Sequence, residues 1–205
     1  MLVSFEGIDG SGKSTQIRYL IDRLEQEGIR HKVFREPGGT ELSEAVRALL
    51  LNPEMNINPV AELLLFSAAR SQLVSEQVIP LLNEGYVVIL DRFFDSTTAY
   101  QGYGRSSLPI NEIREMNRIA SHGLLPDVTF YLKIEPRDAH ERTVGLRKDR
   151  MESSGDRFYE LVSEGYNELA TNEKRFKTLD GQRSEQELHD QIWLHLSHLM
   201  KEDLF

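Results

Sequence analysis

Cysteine is absent from this sequence, and with it go disulfides, thiolate zinc sites and a cysteine nucleophile. The absence is compatible with a reducing cytoplasm. Long hydrophobic runs are missing too: the longest apolar stretches, LLLF at 63–66 and VVIL at 87–90, fall far short of the roughly 20 residues that cross a bilayer. Met1 runs straight into an apolar segment of strand character, with no signal peptide pattern between. Positive charge is in deficit. A net charge of -9 and a pI near 5.2 leave no global basic face for nucleic acid or an anionic membrane. Neither internal repeats nor low-complexity tracts interrupt the 205 residues, so the expectation is one domain over 1–205, intracellular and soluble.

What is present is a phosphate-binding signature. Gly7, Gly12, Lys13 and Ser14 match G-x-x-x-x-G-K-[ST], with the apolar run LVSFE before it and Ile17, Leu20, Ile21 and Leu24 at helical spacing after it. Strand, glycine loop and helix are the context this chemistry needs. Backbone N–H groups of Gly7, Ile8, Asp9, Gly10, Ser11, Gly12, Lys13, Ser14 and Thr15, together with the helix N-terminus, would hold the phosphates of ATP. Lys13 would neutralise the β- and γ-oxygens, and the Ser14 hydroxyl would ligate Mg²⁺. The carboxylate of Asp9 inside this cradle is unexpected, because like charge opposes a polyanion.

Further along, the periodicity predicts strands at HKVFR (31–35), YVVIL (86–90), DVTFYLKI (127–134) and FKTLD (176–180). Helical patterns alternate with them: from Thr40, from Pro59 to Glu84 with a bend at Pro80, from Pro109 to His122, from Pro136 to Val144, up to Thr171, and from Ser184 to Met200. Five strands alternating with helices imply an α/β fold of the P-loop NTPase type. Its five-stranded parallel sheet would carry helices on both faces and ligands at the carboxyl ends of its strands. Asp91 and Arg92 stand at one such end, where Asp91 would hold the metal's water shell and Arg92 would face a phosphate. No N-K-x-D guanine reader occurs, nor a D-x-x-G after the third strand, so a GTPase switch is disfavoured. Phe66 and Arg70, four apart on one helix face, would offer a stacking ring beside a hydrogen-bonding fork, unless Phe66 is simply core. Arg142, Arg147, Lys148 and Arg150 form a basic stretch that is either a solvated loop or a mobile lid, at about 142–155, closing over a phosphoryl group.

EGIDGSGKST, REPGGT (35–40), LLLFSAAR (63–70), DRFFDSTTAYQG (91–102) and D-R-M-E (149–152) stand in the order and spacing of bacterial thymidylate kinases. The chain resembles that nucleoside monophosphate kinase family over nearly its whole length. The resemblance implies phosphorylation of thymidylate (dTMP) by ATP with Mg²⁺, in a cytoplasmic homodimer. It further implies that Phe66 stacks on thymine, that Arg70 reads its O4 edge, and that Thr97, with Ser96 beside it, contacts N3. Tyr100 would crowd the sugar 2′ position, Gln101 would line the same pocket, Arg92 with Arg35 would grip the acceptor phosphate, and Asp9 would meet the 3′-hydroxyl. Gly10 occupies a loop position where other members carry an arginine, so the lid is expected to supply that charge, from Arg147 first and Arg142 next. Asp149 and Glu152 match acidic lid positions. Two rival readings are another nucleoside monophosphate kinase and a nucleotide-switched binding protein.

Overall fold

In the computed structural model, which describes residues 1–145, 150–151 and 155–202, β1 (Leu2–Glu6) lies at the centre of the only sheet among them. Its neighbours are β3 (Val87–Asp91) and β4 (Val128–Lys133), and β2 (His31–Arg35) and β5 (Phe176–Asp180) form the edges, giving the order β2-β3-β1-β4-β5. Every pairing is parallel. Parallel neighbours need crossovers, and these are helical, so both faces of the sheet are covered.

Strand alternation divides the core. Val3 and Phe5 of β1, with Ile89 and Phe130, pack beneath α1 (Lys13–Gln26) and α9 (Glu185–Glu202) through Leu20, Leu24, Leu188 and Ile192. Leu2, Val88 and Leu90 face the other way, onto Leu73, Val74, Val78 and Phe93. Ser4 and Glu6 share that second face, and both are fully buried. It therefore carries polar groups inside the fold: Ser4 and Thr129 hydroxyls pair at 2.8 Å, and Arg175 grips Asp95 through two bonds of 2.6 and 2.7 Å.

Helix α2 (Glu41–Leu51) starts where Thr40 accepts the Ser43 N–H, as its sequence predicts. The long helical segment after Pro59 differs from expectation. α3 (Pro59–Leu73) widens into a π-helical turn at Val74–Val78 before α4 (Ile79–Asn83), which puts the irregularity ahead of Pro80 and leaves Pro80 in a first turn. Proline lacks an N–H and its ring crowds the preceding turn, and the extra residue of a π turn relieves both. A second π turn, Thr98–Gly104, follows the short α5 (Phe94–Thr97), so the chain is helical from Phe94 to Gly104. The remaining helices are α6 (Ile110–Ala120), α7 (Pro136–Thr143) and α8 (Asp156–Asn172). α7 matches the helix expected from Pro136 to Val144, so Arg142, counted with the basic stretch that would form a lid, stands in the last turn of a helix.

Candidate active site

The loop between β1 and α1 is shaped by glycines that occupy left-handed backbone. Gly12 caps α1 at φ 97°, and Gly10 sits at φ 81°, where a Cβ would come within 2.5 Å of the Ala139 carbonyl oxygen. α7 therefore crowds position 10, so that a side chain there would require α7 or the loop to shift. Lys13 opens the helix and folds its Nζ back to donate to the carbonyls of Gly7 (2.9 Å) and Ile8 (3.1 Å). Burial first, then the Arg92 guanidinium, lower Lys13 to about 8, against the opposite pull of Asp9, Asp91 and Glu6.

This loop forms one wall of a cavity of about 650 Å³ at the carboxyl ends of the strands. Asp9, Gly10, Ser11, Gly12, Lys13, Ser14 and Thr15 line it from the loop. Arg35, Phe66, Arg70, Asp91, Arg92, Ser96, Thr97, Tyr100, Gln101 and Arg142 line it from elsewhere. Of the sequence-predicted residues, Gly7 and Ile8 do not line it: Gly7 is packed under the Leu132 carbonyl, and the Ile8 side chain points into the core with Tyr131 and Ile134. Arg147, Asp149 and Glu152 lie outside the described residues.

Arg92 is the hub of the acceptor side. It has the positive φ of 72°, a strained backbone for a long side chain, held by its N–H bonding to the Phe5 carbonyl and by the Phe93 N–H bonding to Glu6 Oε1 at 2.8 Å. Its Nη1 donates to Gly7 O (2.9 Å), Ser96 Oγ (3.2 Å) and Tyr166 OH (3.3 Å), and its Nη2 to Asp9 Oδ1 (2.7 Å) and Tyr100 OH (3.2 Å). For Asp9, burial pushes the carboxyl up, but Arg92 and then Lys13 outweigh it and hold it below its ordinary range.

Phe66 is half-buried with its ring in the cavity wall, and it belongs to none of the core clusters. Arg70 beside it is 2% exposed, its Nε donating to Glu36 Oε2 at 2.7 Å and its Nη1 to Asn117 Oδ1 at 3.4 Å. Gln101 donates its amide to the buried Glu62 at 2.8 Å, which fixes the orientation of that carboxamide. Arg35 is exposed and stands 3.6 Å from Glu44. Arg142 donates to the carbonyls of Gly10 (3.3 Å) and Gly181 (3.0 Å), tying α7 to the phosphate loop and to the turn after β5.

Sequence reasoning missed several wall or support residues. Gly181 and Arg183, beyond β5, line the cavity and could have been found by the strand-end rule already applied to Asp91. Glu6 is a charged residue closing an apolar strand, a local anomaly in LVSFE. Glu36 stood within REPGGT without being singled out, and Tyr166 and Glu62 carried no local signal.

Ser14 and Asp91 offer one hydroxyl and one carboxylate to the cavity, and among the described residues no three His, Cys, Asp or Glu side chains cluster to hold a metal. Such a sparse oxygen set suits Mg²⁺, which keeps several waters and takes phosphate oxygens in preference to an all-protein cage.

A parallel sheet of this order, with the glycine loop and an arginine-lined pocket facing each other across one cavity, defines a P-loop phosphotransferase of the nucleoside monophosphate kinase class. The family model described as thymidylate kinase matches residues 5–192, and the chain belongs to that family. It is 50% identical to the thymidylate kinase of Chlorobium luteolum, with 98% of this chain and 99% of the relative covered. It is 48% identical to that of Chlorobaculum tepidum over 94% of each, and 44% identical to that of Thermoanaerobacter sp. strain X514 over 93% and 94%. No helix among the described residues is long and apolar enough to cross a membrane.

Proposed function

We propose that this chain transfers the γ-phosphoryl group of ATP to the 5′-phosphate of dTMP, giving ADP and dTDP. One observation carries the reading: Lys13 of the phosphate loop shares a single cavity with Phe66, Arg70, Arg92, Thr97, Tyr100 and Gln101, the residues the acceptor would need. The relatives' thymidylate kinase names support the same acceptor.

The loop and the α1 N-terminus hold the ATP phosphates, and the Lys13 ammonium leaves the Gly7 and Ile8 carbonyls to neutralise the β,γ-oxygens. Phe66 stacks on the thymine ring while the fork of Arg70, oriented by Glu36, reads its carbonyl edge. Thr97 and Gln101 complete the base pocket, Tyr100 borders the sugar, and Asp9 takes the 3′-hydroxyl. Arg92, with Arg35, orients the acceptor phosphate so that its oxygen attacks the γ-phosphorus directly, and the protein supplies no nucleophile. Ser14 and Asp91 would hold Mg²⁺, directly or through water, and when bound it supplies charge neutralisation at the β,γ-oxygens. Arg142 at the cavity, and Arg147 outside the described residues, are the candidates for the charge that Gly10 forgoes. Leu64 on α3 and Ile119 on α6 are exposed apolar residues on helices that pack together, and their exposure supports a homodimer that would cover them.

The test is an acceptor panel: ATP, Mg²⁺ and each nucleoside monophosphate, with ADP release measured. Release that requires dTMP supports the reading; the same slow release without any acceptor overturns it in favour of a nucleotide switch.

A further inference from the structure

Beneath Arg92, three oxygens stand within hydrogen-bonding distance of one another. Ser96 Oγ is 2.6 Å from Glu6 Oε2, Tyr166 OH is 2.9 Å from the same carboxyl oxygen, and the two hydroxyls are 2.8 Å apart. Three such contacts need three protons, one for each edge of the triangle. The two hydroxyls supply two. An ionised Glu6 leaves one edge as two oxygens in contact with no hydrogen between them, whereas a protonated Glu6 closes the ring. Each hydroxyl then still has a lone pair for Arg92 Nη1, which donates to both.

From this geometry we infer that Glu6 is a positioning residue for Arg92, and that it takes up a proton when the acceptor phosphate binds. The inference rests on the reading of Arg92 as the acceptor-phosphate ligand. Glu6 is fully buried, and its other oxygen accepts the Phe93 N–H, which fixes the strained turn that aims Arg92. The charged and titratable groups facing it are Asp95 from α5, Arg92, Tyr166 from α8, Lys13 from α1 and Arg175 beside β5. Burial raises Asp95 too, against the two bonds it takes from Arg175, and keeps the Tyr166 phenol well above its ordinary value; the triangle of oxygens, which closes only with a further proton, puts that proton on Glu6. Burial first, and then the Asp95 carboxylate, push Glu6 up to about 7. Asp91 pairs with Phe5 and so projects from the opposite face of the sheet. Above neutrality, Glu6 carries a negative charge that competes with the phosphate dianion for Arg92. Binding of that dianion favours the protonated carboxyl, by reciprocity of linkage.

The experiment has two readouts on the full chain. The KM for dTMP, followed above the second ionisation of a phosphate monoester (about 6), should rise roughly three- to tenfold between about pH 6.5 and 8.5 in the wild type. Glu6→Gln should flatten that rise with kcat at saturation little changed. Calorimetry of dTMP binding at about pH 7.5, in buffers of different ionisation enthalpy, should show uptake of a fraction of a proton by the wild type and none by Glu6→Gln. Equal proton uptake by both proteins, or an unchanged KM profile in the variant, overturns the inference. If Glu6→Gln does not fold, the wild type alone decides: a flat KM profile between about pH 6.5 and 8.5, or dTMP binding without proton uptake at about pH 7.5, overturns the inference. Arg92→Ala separates the two levels. A normal KM for dTMP in Arg92→Ala defeats the reading of Arg92 itself, whereas a raised KM there with an unchanged Glu6→Gln profile defeats only the role of Glu6.

Discussion

The Asp9 carboxylate and the Arg92 guanidinium, 83 residues apart in the chain, meet at 2.7 Å. One comes from the phosphate loop and the other from the end of β3, so the pair joins the donor side of the cavity to its acceptor side. It also explains how a carboxylate is tolerated in a loop built for polyanions. Its charge is directed at an arginine, and Arg92 with Lys13 holds it ionised.

If Asp9 also serves the 3′-hydroxyl of dTMP, the wild type should favour dTMP over its 3′-deoxy analogue by ~1.5–3 kcal/mol in kcat/KM, the scale of a charge-assisted hydrogen bond. Asp9→Ala should erase most of that preference. Specificity ratios for the two acceptors check this, and equal slowing of both, with the preference intact, would assign Asp9 to Arg92 alone.

Arg142 holds two backbone carbonyls, at Gly10 and Gly181, so its loss should act on the donor site's shape. Arg142→Ala is expected to raise the KM for ATP several-fold with a smaller change in kcat. Arg147→Ala is expected to lower kcat with both KM values nearly constant, the signature of a contact made mainly in the transition state. Steady-state kinetics of the two variants decide the assignment; a kcat loss confined to Arg142→Ala transfers the catalytic role to it.

At Gly10 the constraint is steric. Gly10→Ala forces a Cβ to 2.5 Å from the Ala139 oxygen at a φ of 81°, so α7 or the loop must move. The expected cost is ~1–3 kcal/mol, roughly 3–10 °C in Tm for a domain of this size. Thermal unfolding measures it, and a Tm within a degree of wild type would show that α7 yields freely.

Lys13 sets a pH limit on the donor. Its protonated form meets the phosphates, and in this structure it loses that proton near 8, so ATP affinity should be constant below that pH and fall as pH rises through it. A bound polyanion raises the Lys13 value again, so ATP binding at about pH 8.5 should be accompanied by proton uptake. Titration calorimetry across about pH 6.5–9.5 tests both, with Lys13→Met as the variant that abolishes the uptake. Flat affinity across that range would mean Lys13 stays charged throughout.

Local pattern in the sequence was sufficient for the strands, most helices, the phosphate loop and the strand-end placement of Asp91 and Arg92. These follow from rules that act over a few residues: hydrophobic period, glycine spacing, a proline or threonine at a helix start. Order in the sheet and the meeting of distant side chains obey no local rule, and only the tertiary structure decided them. It brought Asp9 to Arg92, gave Arg70 to Glu36, and set α7 hard against Gly10. Its π turns, at Val74–Val78 and Thr98–Gly104, came from packing around Pro80 and beside α8, where helix periodicity is silent. Glu6 shows the division most clearly. In the sequence it is one acidic residue at the end of an apolar strand, and its significance comes from Ser96 and Tyr166, 90 and 160 residues away, which close around it only when the sheet is assembled.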